Sequence, residues 1–239
     1  MKLSQSAVLG VAHQLNLFPY HQGTQPLLSD KHKHERLIFA KQHKEYDWKR
    51  VLFLDEKVVF QITRPNSKND IIWAPKRSHL PERPYNRHSY KLNVCAGISY
   101  YGKSKIFLFE ETLASPLFVK ILQSTIIPAA ESIPGSHWEL YMDNDPKHKS
   151  QMTKNFLAQN GIQLIQACAC SPDLNPQENM WSILDAKIRE TAPKSKEALK
   201  KTIIKCWDDI TLQQVKNTVA SMPRRMKQVI AGNGGHIKY

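Results

Sequence analysis

Three acidic residues, Asp55, Asp143 and Glu178, occupy positions in this sequence that suit phosphodiester chemistry. Asp55 ends the apolar run at residues 51–54, and Asp143 ends the mostly apolar segment at residues 137–142. The 34 residues 144–177 separate Asp143 from Glu178. Carboxylates at strand ends and on a nearby helix can hold divalent metal ions beside a phosphodiester. The sequence therefore contains one candidate catalytic set, provided that the fold brings the three residues together.

Two of these acids also have structural explanations that would suffice for each one alone. An Asp at the end of an apolar strand commonly caps the following turn, which would account for Asp55. Glu178 lies three residues after Asn175, a predicted helix cap with Pro176 at the first helical position. Its carboxylate can bond back to that cap, and the helix dipole favours a negative charge there.

The segment around the second acid is more specific. Residues 143–148 read DNDPKH, and the Asn, Asp and Pro residues predict a turn. A turn alone does not explain why Lys147 and His148 accompany the carboxylate. His148 is either a surface residue or a hydrogen-bond partner that orients Asp143, and Asn144 and His148 are candidate supporting residues.

The composition favours a polyanionic partner. The 239 residues carry a formal net charge of +13, and an excess of this size is typical of nucleic-acid-binding proteins. A generally basic soluble protein is the alternative. The length and the 41% apolar content fit one sizeable core. The four cysteines have no zinc-ligand spacing, which predicts reduced intracellular thiols, and no segment resembles a signal peptide or a membrane span.

The hydrophobic pattern predicts a mixed sheet with helices on both faces. A helix is expected from Ser29, with residues 37–40 as its buried stripe, and a basic, Pro-rich loop at residues 66–90. Strands are expected at residues 50–55 and 58–63, joined by a tight turn at Glu56-Lys57, and at residues 91–100, 105–110, 137–143 and 162–166. Further helices are expected at residues 115–132, with Ser115 as the cap, at residues 149–160, and in three closing segments that start at Pro176, before Leu199 and at Thr211.

Three segments resemble the signature blocks of the Tc/mariner superfamily of DNA transposases. Residues 53–57 read FLDEK, residues 143–148 read DNDPKH, and residues 171–181 read SPDLNPQENMW. Their order matches the superfamily, and the 34-residue gap matches the branch whose third acid is Glu. The resemblance covers roughly residues 25–239.

The resemblance implies an α/β fold of the ribonuclease H-like type, the DDE transposase and integrase core. Asp55, Asp143 and Glu178 would be its catalytic and metal-binding residues. They would hold two Mg²⁺ ions, with Mn²⁺ as a substitute, roughly 3.5–4 Å apart. The implied reaction is metal-dependent excision of a transposable element at its terminal inverted repeats, followed by strand transfer into target DNA.

The implied partner is double-stranded DNA, bound by a homodimer in the nucleus, with neither a membrane nor a small-molecule substrate involved. The DNA backbone would be held by basic side chains of the loop and the C-terminal helices. The candidate DNA contacts are Arg64, Lys76, Arg77, Arg83, Arg87, Lys147, Arg224 and Arg225. Trp73 in the same loop either stacks on DNA or packs in a core or against a partner.

The N-terminal part is shorter than in relatives of this superfamily. Residues 1–29 resemble only the tail of a helix-turn-helix DNA-binding region with its linker, and residues 30–239 form the expected catalytic domain. The apparent truncation leaves a second hypothesis, in which a non-autonomous remnant binds DNA or full-length transposase without catalysis. A generic metal-dependent nuclease would fit the three acids but not the signature blocks.

Overall fold

A computed structural model of the chain describes Gln14 and residues 27–60, 90–135 and 137–237. By its contacts the chain divides into two compact units, Met1–Leu27 with Pro65–Pro81, and Leu28–Arg64 with Glu82–Tyr239. Only Gln14 and Leu27 of the first unit are described. The architecture that follows is that of the second unit, and the predicted loop at residues 66–90 lies outside the described residues except for Tyr90.

Residues 27–60, 90–135 and 137–237 contain six strands and eight α-helices. The strands are β1 (Val51–Phe60), β2 (Lys91–Ser99), β3 (Gly102–Lys103), β4 (Phe107–Phe109), β5 (Glu139–Met142) and β6 (Gln163–Gln166). The α-helices are α1 (Asp30–Gln42), α2 (Ser115–Ile121), α3 (Ile127–Ala130), α4 (Gln151–Gln159), α5 (Gln177–Thr191), α6 (Lys196–Asp208), α7 (Leu212–Val219) and α8 (Met222–Ala231). Short 3₁₀ segments precede β1 (Trp48–Arg50) and α5 (Pro172–Leu174), and a π-helical segment (Leu122–Ile126) joins α2 to α3. Among these helices none combines the length and apolar character of a membrane span.

The strands form one mixed sheet in the order β3-β2-β1-β5-β6, with β4 also paired to β2. β1 pairs antiparallel with β2, whereas β1, β5 and β6 run parallel to one another. Side chains alternate between the two faces of a strand, so β1 supplies both cores. Phe53 packs in the core with α1 and α5–α8, while Leu52 and Leu54 pack in the core with α2–α4. The predicted mixed sheet with helices on both faces is confirmed.

The predicted hairpin at Glu56-Lys57 is wrong. β1 runs unbroken through both residues, because Glu56 pairs with Cys95 and Lys57 with Val94 in the antiparallel ladder with β2. Two charged residues between apolar runs indicated a turn, but neither Glu nor Lys is a turn former. Asp55 consequently lies inside a ten-residue strand and not at its end.

Two other helix predictions need correction. The segment at residues 115–132 is capped by Ala114 without a side-chain hydrogen bond, not by Ser115, and it is interrupted by the π-helical segment before α3. Pro128 lies in the first turn of α3, where its missing N–H group prevents an unbroken helical ladder. The chain also closes with four helices, since α8 forms separately with Pro223 in its first turn.

The residues predicted to face inward on α5 and α6 are buried, among them Trp181 and Trp207. Thr211 and Gln214 form the predicted capping box of α7. The helix expected from Ser29 is α1, which Ser29 caps, but Ile38 is exposed, so fewer of residues 37–40 are buried than predicted. The four cysteines are free, as predicted.

A buried ion pair joins α1 to the segment before α5. Arg36 is 0% exposed and donates two hydrogen bonds to the Asp173 carboxylate, of 2.7 and 2.6 Å. The same guanidinium donates to the carbonyls of Gly234 and Gly235. Gly234 has a φ of +81°, and a Cβ there would come within 2.0 Å of the Lys33 carbonyl oxygen. The C-terminal segment can therefore approach α1 only because residue 234 is a glycine.

Asp173 also receives bonds from the C-terminal elements. Arg225 on α8 donates to the Asp173 carbonyl at 2.8 Å and to the side-chain oxygen of Asn179 at 2.6 Å. The backbone N–H of Ile237 donates to the Asp173 carboxylate at 3.0 Å. One buried residue thus links α1, α8 and the C-terminal segment to the start of α5, the helix that carries Glu178.

Removing the charge of Asp173 should destabilise the fold strongly. In Asp173→Asn the buried guanidinium of Arg36 loses its counter-charge, and we expect the free energy of unfolding to fall by about 3–5 kcal/mol. Urea denaturation measures the change. The control is Lys205→Gln, which breaks the exposed Lys205–Asp209 pair and should leave the free energy of unfolding nearly unchanged. Equal effects of the two substitutions would contradict a structural role for the buried pair.

Candidate active site

The structure brings the three acids to one cleft. Asp55 lies on β1, Asp143 directly follows β5, and Glu178 lies in the first turn of α5. Since β1 and β5 pair in parallel with Phe53 opposite Tyr141, the same register brings Asp55 beside Asp143. All three side chains line a cleft of about 370 Å³. Their roles as metal ligands and catalytic groups remain predictions, which this arrangement supports.

Asp55 is the most perturbed of the three carboxylates. Burial raises its pKa to about 8, and the negative charges of Glu178 and Glu56 act in the same direction. A hydrogen bond opposes this shift, because the indole Nε1 of Trp181 donates to Asp55 Oδ2 at 2.9 Å. Asp55 therefore lies where negative charge accumulates, and in the described part of the chain no Lys or Arg side chain is bonded to it.

Asp143 is held in the opposite electrostatic state. Its Oδ1 lies 2.7 Å from Nδ1 of His148 and accepts a hydrogen bond from the backbone N–H of Asp145 at 3.0 Å. The His148 bond keeps the pKa of Asp143 below its usual value, although burial acts against it. The lowered pKa keeps Asp143 ionised near neutral pH. Its side chain is 55% exposed and is therefore open to the cleft.

His148 is buried and bonded to Asp143, which favours the second of the two predicted alternatives, an orienting partner, over a surface residue. The imidazole ring is 2% exposed, and its centroid lies 4.4 Å from that of the Phe118 ring. Its Nε2 lies 2.9 Å from Oε1 of Glu56. Burial disfavours the charged ring, but the hydrogen bonds to Asp143 and Glu56 outweigh it and raise the pKa of His148 to about 9. The imidazolium can donate from both ring nitrogens, which links the two carboxylates.

Glu56 was missing from the predicted site. It follows Asp55 in the strand, so its side chain points to the opposite face of the sheet, where it meets His148 and comes within 3.9 Å of Lys147. The contact was not predicted because a turn was expected at Glu56-Lys57. With an unbroken strand, the alternation of side chains would have placed Glu56 on the face opposite to Asp55.

Glu178 faces β1 from α5. Burial raises its pKa, and the positive charge of Lys57 opposes that shift. Lys57 Nζ forms an ion pair with Asp185 on the same helix, at 2.9 Å. Within the described residues no hydrogen bond joins the Glu178 carboxylate to the helix cap. The predicted cap is also wrong by one residue: Pro176 is the N-cap, without a side-chain hydrogen bond, and the helix begins at Gln177, whose N–H donates to Asn175 Oδ1 at 3.1 Å.

Asn144 supports the site through the backbone. Its Nδ2 donates to the Ala167 carbonyl at 2.6 Å, and its Oδ1 accepts from the side chain of Gln166. These bonds join the end of β5 to the end of β6 next to Asp143. Asn144 therefore has a structural part in the cleft, consistent with the predicted supporting role.

The predicted DNA contacts have different outcomes. Arg225 is 2% exposed, and its guanidinium donates to Asp173, Asn179 and Ser221, so a contact of Arg225 with DNA is wrong. Arg224 is exposed on α8, and its DNA contact stays a prediction.

Lys147 also keeps its predicted DNA contact only as a prediction. Its side chain is 14% exposed and lies 2.8 Å from Asp145. The predicted contacts in the basic loop lie outside the described residues, namely Arg64, Lys76, Arg77, Arg83 and Arg87, and so does Trp73.

The cleft has the donors of a divalent-cation site but not a preformed cage. Among the described residues no group of three or more His, Cys, Asp or Glu side chains is arranged to hold a metal ion. Asp55 is engaged by Trp181 and Asp143 by His148. Carboxylate oxygens are nevertheless the ligands that Mg²⁺ prefers, and a cation would neutralise the charges that raise the pKa of Asp55.

The charge of His148 should make stability depend on pH. Its pKa is raised to about 9 in the folded protein, against about 6.5 in an unfolded chain. Its charge therefore stabilises the fold fully below about pH 6.5, and this contribution is lost as the pH rises through about 9. In metal-free urea denaturation, we expect the loss of unfolding free energy in His148→Gln to be largest near pH 6 and to shrink towards pH 9.5. Exposed His34→Gln is the control, and a loss in His148→Gln that stays constant or grows with pH would contradict the assignment.

Comparison with known proteins identifies the family. The family model of the DDE superfamily endonucleases matches residues 50–200, which include all three acids. The chain is 27% identical over 230 residues to the transposable element Tcb1 transposase of Caenorhabditis briggsae, covering 90% of this chain and 80% of that protein. It is 29% identical over 220 residues to the transposable element Tc3 transposase of Caenorhabditis elegans, covering 90% of this chain and 65% of that protein.

Solved structures share the fold. The Mos1 transposase paired-end complex with left transposon end superposes with a TM-score of 0.80 at 19% identity, over 99% of this chain and 72% of that chain. The mariner Mos1 paired-end complex with Mg gives a TM-score of 0.82 at 19% identity and the same coverage. The predicted ribonuclease H-like fold is confirmed by this likeness. The chain is thus similar to transposases of the Tc1 and Mos1 kinds, and it belongs to the DDE superfamily endonucleases.

Proposed function

We propose that this chain cleaves DNA at transposon ends and joins the freed 3′ end to target DNA, with two Mg²⁺ ions held by Asp55, Asp143 and Glu178. Mn²⁺ would substitute. One observation carries the proposal, namely that three carboxylates from separate elements of the fold line a single cleft. The family assignment makes phosphodiester chemistry the expected use of that cleft.

The side chains around the cleft prepare it for cations. Bound there, divalent ions would offset the repulsion between the carboxylates and a phosphodiester and would polarise the attacking and leaving oxygens. His148 keeps Asp143 ionised, and Trp181 holds one oxygen of Asp55. Because the pKa of Asp55 is raised to about 8, protons compete with a cation for this carboxylate near neutral pH.

Double-stranded DNA is the proposed partner. The net charge of +13 favours a polyanion, and the Mos1 neighbour was solved with a transposon end. We further propose that two copies of the chain act together in the nucleus, because an element has two ends and each copy would bind one of them. A chain that binds DNA without cleaving it is the competing function, and the assay below separates the two.

Catalysis should depend on the carboxylate of Asp143. A nicked duplex that supplies a 3′-hydroxyl is incubated with the protein and Mg²⁺ or Mn²⁺, and cleaved and joined products are quantified. Asp143→Asn keeps the shape and the hydrogen bonding but removes the charge, and we expect activity to fall by about 10⁴-fold. Asp208→Asn, an exposed change of the same chemistry on α6, should retain activity.

The binding-only function is supported instead if the parent protein binds the duplex and neither cleaves nor joins it. Identical products from the parent and Asp143→Asn would point to a contaminating nuclease. Either result would overturn the catalytic proposal.

Arg224 and Arg225 form a matched pair for testing DNA contact. Exposed Arg224→Gln should weaken binding to duplexes of any sequence and lower the salt slope of binding by about 1, because one phosphate contact is lost. Buried Arg225→Gln should instead lower the free energy of unfolding by about 1–3 kcal/mol, since it leaves buried polar groups unsatisfied. Fluorescence anisotropy at several salt concentrations measures binding, and urea denaturation measures stability. An unchanged salt slope in Arg224→Gln would remove Arg224 from the interface.

A further inference from the structure

Trp181 connects the helix of the third acid directly to the first acid. It lies three residues after Glu178 on α5 and is 1% exposed. Its Nε1 donates to Asp55 Oδ2 at 2.9 Å, from α5 to β1. Asp55 and Glu178 are 123 positions apart in the sequence numbering, and this bond is a direct polar contact between their two elements.

We propose that Trp181 is a positioning residue of the divalent-cation site: its indole N–H holds Asp55 Oδ2, leaves Oδ1 for the cation, and sets the separation between Asp55 and Glu178. The inference rests on the cation site of the proposed function, but not on DNA cleavage itself. Partners that orient a metal ligand in this way typically change metal affinity or activity by about 10–100-fold when they are removed.

Trp181 differs from the other buried tryptophans of the described residues in the group that accepts its indole hydrogen bond. Trp207 donates its Nε1 to the backbone carbonyl of Ser104 at 2.8 Å, which satisfies a buried donor within the core. Trp48 is also buried, and its Nε1 has no hydrogen-bond partner in the described part of the chain. Only Trp181 among these three bonds to a side chain of the candidate site.

Packing holds the Trp181 ring in place. Its ring centroid lies 5.5 Å from that of Trp207, which is 0% exposed. Leu184 and Ile188 on the same face of α5 are also buried in this core. Side chains in a close-packed interior change rotamer at a cost, so the indole N–H cannot move away from Asp55 without disturbing its neighbours. The donor therefore has a defined direction before any cation binds.

A second polar contact between α5 and β1 lies farther along α5. Lys57 on β1 forms an ion pair with Asp185 at 2.9 Å, and both side chains are about one quarter exposed. Asp185 lies two helical turns after Glu178, and Lys57 lies on the same face of β1 as Asp55. This pair stabilises the same α5–β1 contact, but its exposure makes it weaker than the buried bond of Trp181.

A neutral donor suits a carboxylate that must also bind a cation. An Arg or Lys bonded to Asp55 would supply a positive charge and compete with the metal for the same oxygens. The indole donates one hydrogen bond without adding a positive charge, so it does not compete with a cation for Asp55. Trp181 can therefore orient Asp55 without neutralising it.

The test compares Trp181→Phe with Trp207→Phe. Each substitution keeps a buried aromatic ring and removes one indole N–H, but only the first touches Asp55. The Mn²⁺ dissociation constant of the DNA-free protein is measured from the electron paramagnetic resonance signal of free Mn²⁺. The Mn²⁺ concentration for half-maximal cleavage of the nicked duplex and the unfolding temperature are measured alongside.

For Trp181→Phe we expect both the Mn²⁺ dissociation constant and the half-maximal Mn²⁺ concentration to rise by about 10–100-fold. Trp207→Phe keeps a buried ring beside Trp181 and leaves the Trp181 N–H bonded to Asp55, so it should lower the unfolding temperature and change both metal readouts far less than Trp181→Phe does. The inference is overturned if Trp181→Phe binds Mn²⁺ as the parent does, or if Trp207→Phe weakens Mn²⁺ binding equally.

Cleavage separates this inference from the proposed function. If the parent binds Mn²⁺, Trp181→Phe weakens that binding and neither protein cleaves DNA, the positioning role is supported and the nuclease function fails. If the parent neither binds Mn²⁺ nor cleaves DNA, both fail together.

Discussion

The buried ion pair between Arg36 and Asp173 is the interaction on which the rest of the unit that carries the three acids depends. Transferring two charges out of water costs several kcal/mol for each ion, so the pair requires near-complete hydrogen bonding. Arg36 meets that requirement with two bonds to Asp173 and two to the C-terminal glycine carbonyls. Asp173 lies five residues before Glu178, so the same pair sets the position from which α5 starts.

The signature segment at residues 171–181 therefore combines three different tasks. Asp173 anchors the segment to α1 and α8, Asn175 accepts a hydrogen bond from the first backbone N–H of α5, and Trp181 bonds to Asp55. Glu178 is left with its carboxylate turned to the cleft and with a raised pKa. The surrounding residues thus stabilise a local accumulation of negative charge inside an otherwise basic chain. An arrangement of this kind costs folding free energy, and cation binding would offset that cost.

The sequence predicted the sheet class, most helices and the meeting of the three acids, because hydrophobic periodicity and the signature blocks are local signals. It failed where a tertiary contact decides the outcome. Glu56 and Lys57 indicated a turn, yet pairing with β2 keeps them in the strand. The charge of Arg225 indicated a DNA contact, but the side chain is buried and donates hydrogen bonds to Asp173 and Asn179. The indole donor of Trp181 could not be predicted, since helical periodicity indicates which face is buried but not which acceptor lies beneath it.

The most direct measurement of the central claim is a crystal structure of the protein with Mn²⁺, using anomalous scattering to locate the ions. The account predicts anomalous density in the cleft between Asp55, Asp143 and Glu178, with the carboxylate of each as a ligand and the Trp181 indole still bonded to Asp55. Mn²⁺ bound elsewhere on the protein, with the cleft free of anomalous density at saturating Mn²⁺, would contradict it.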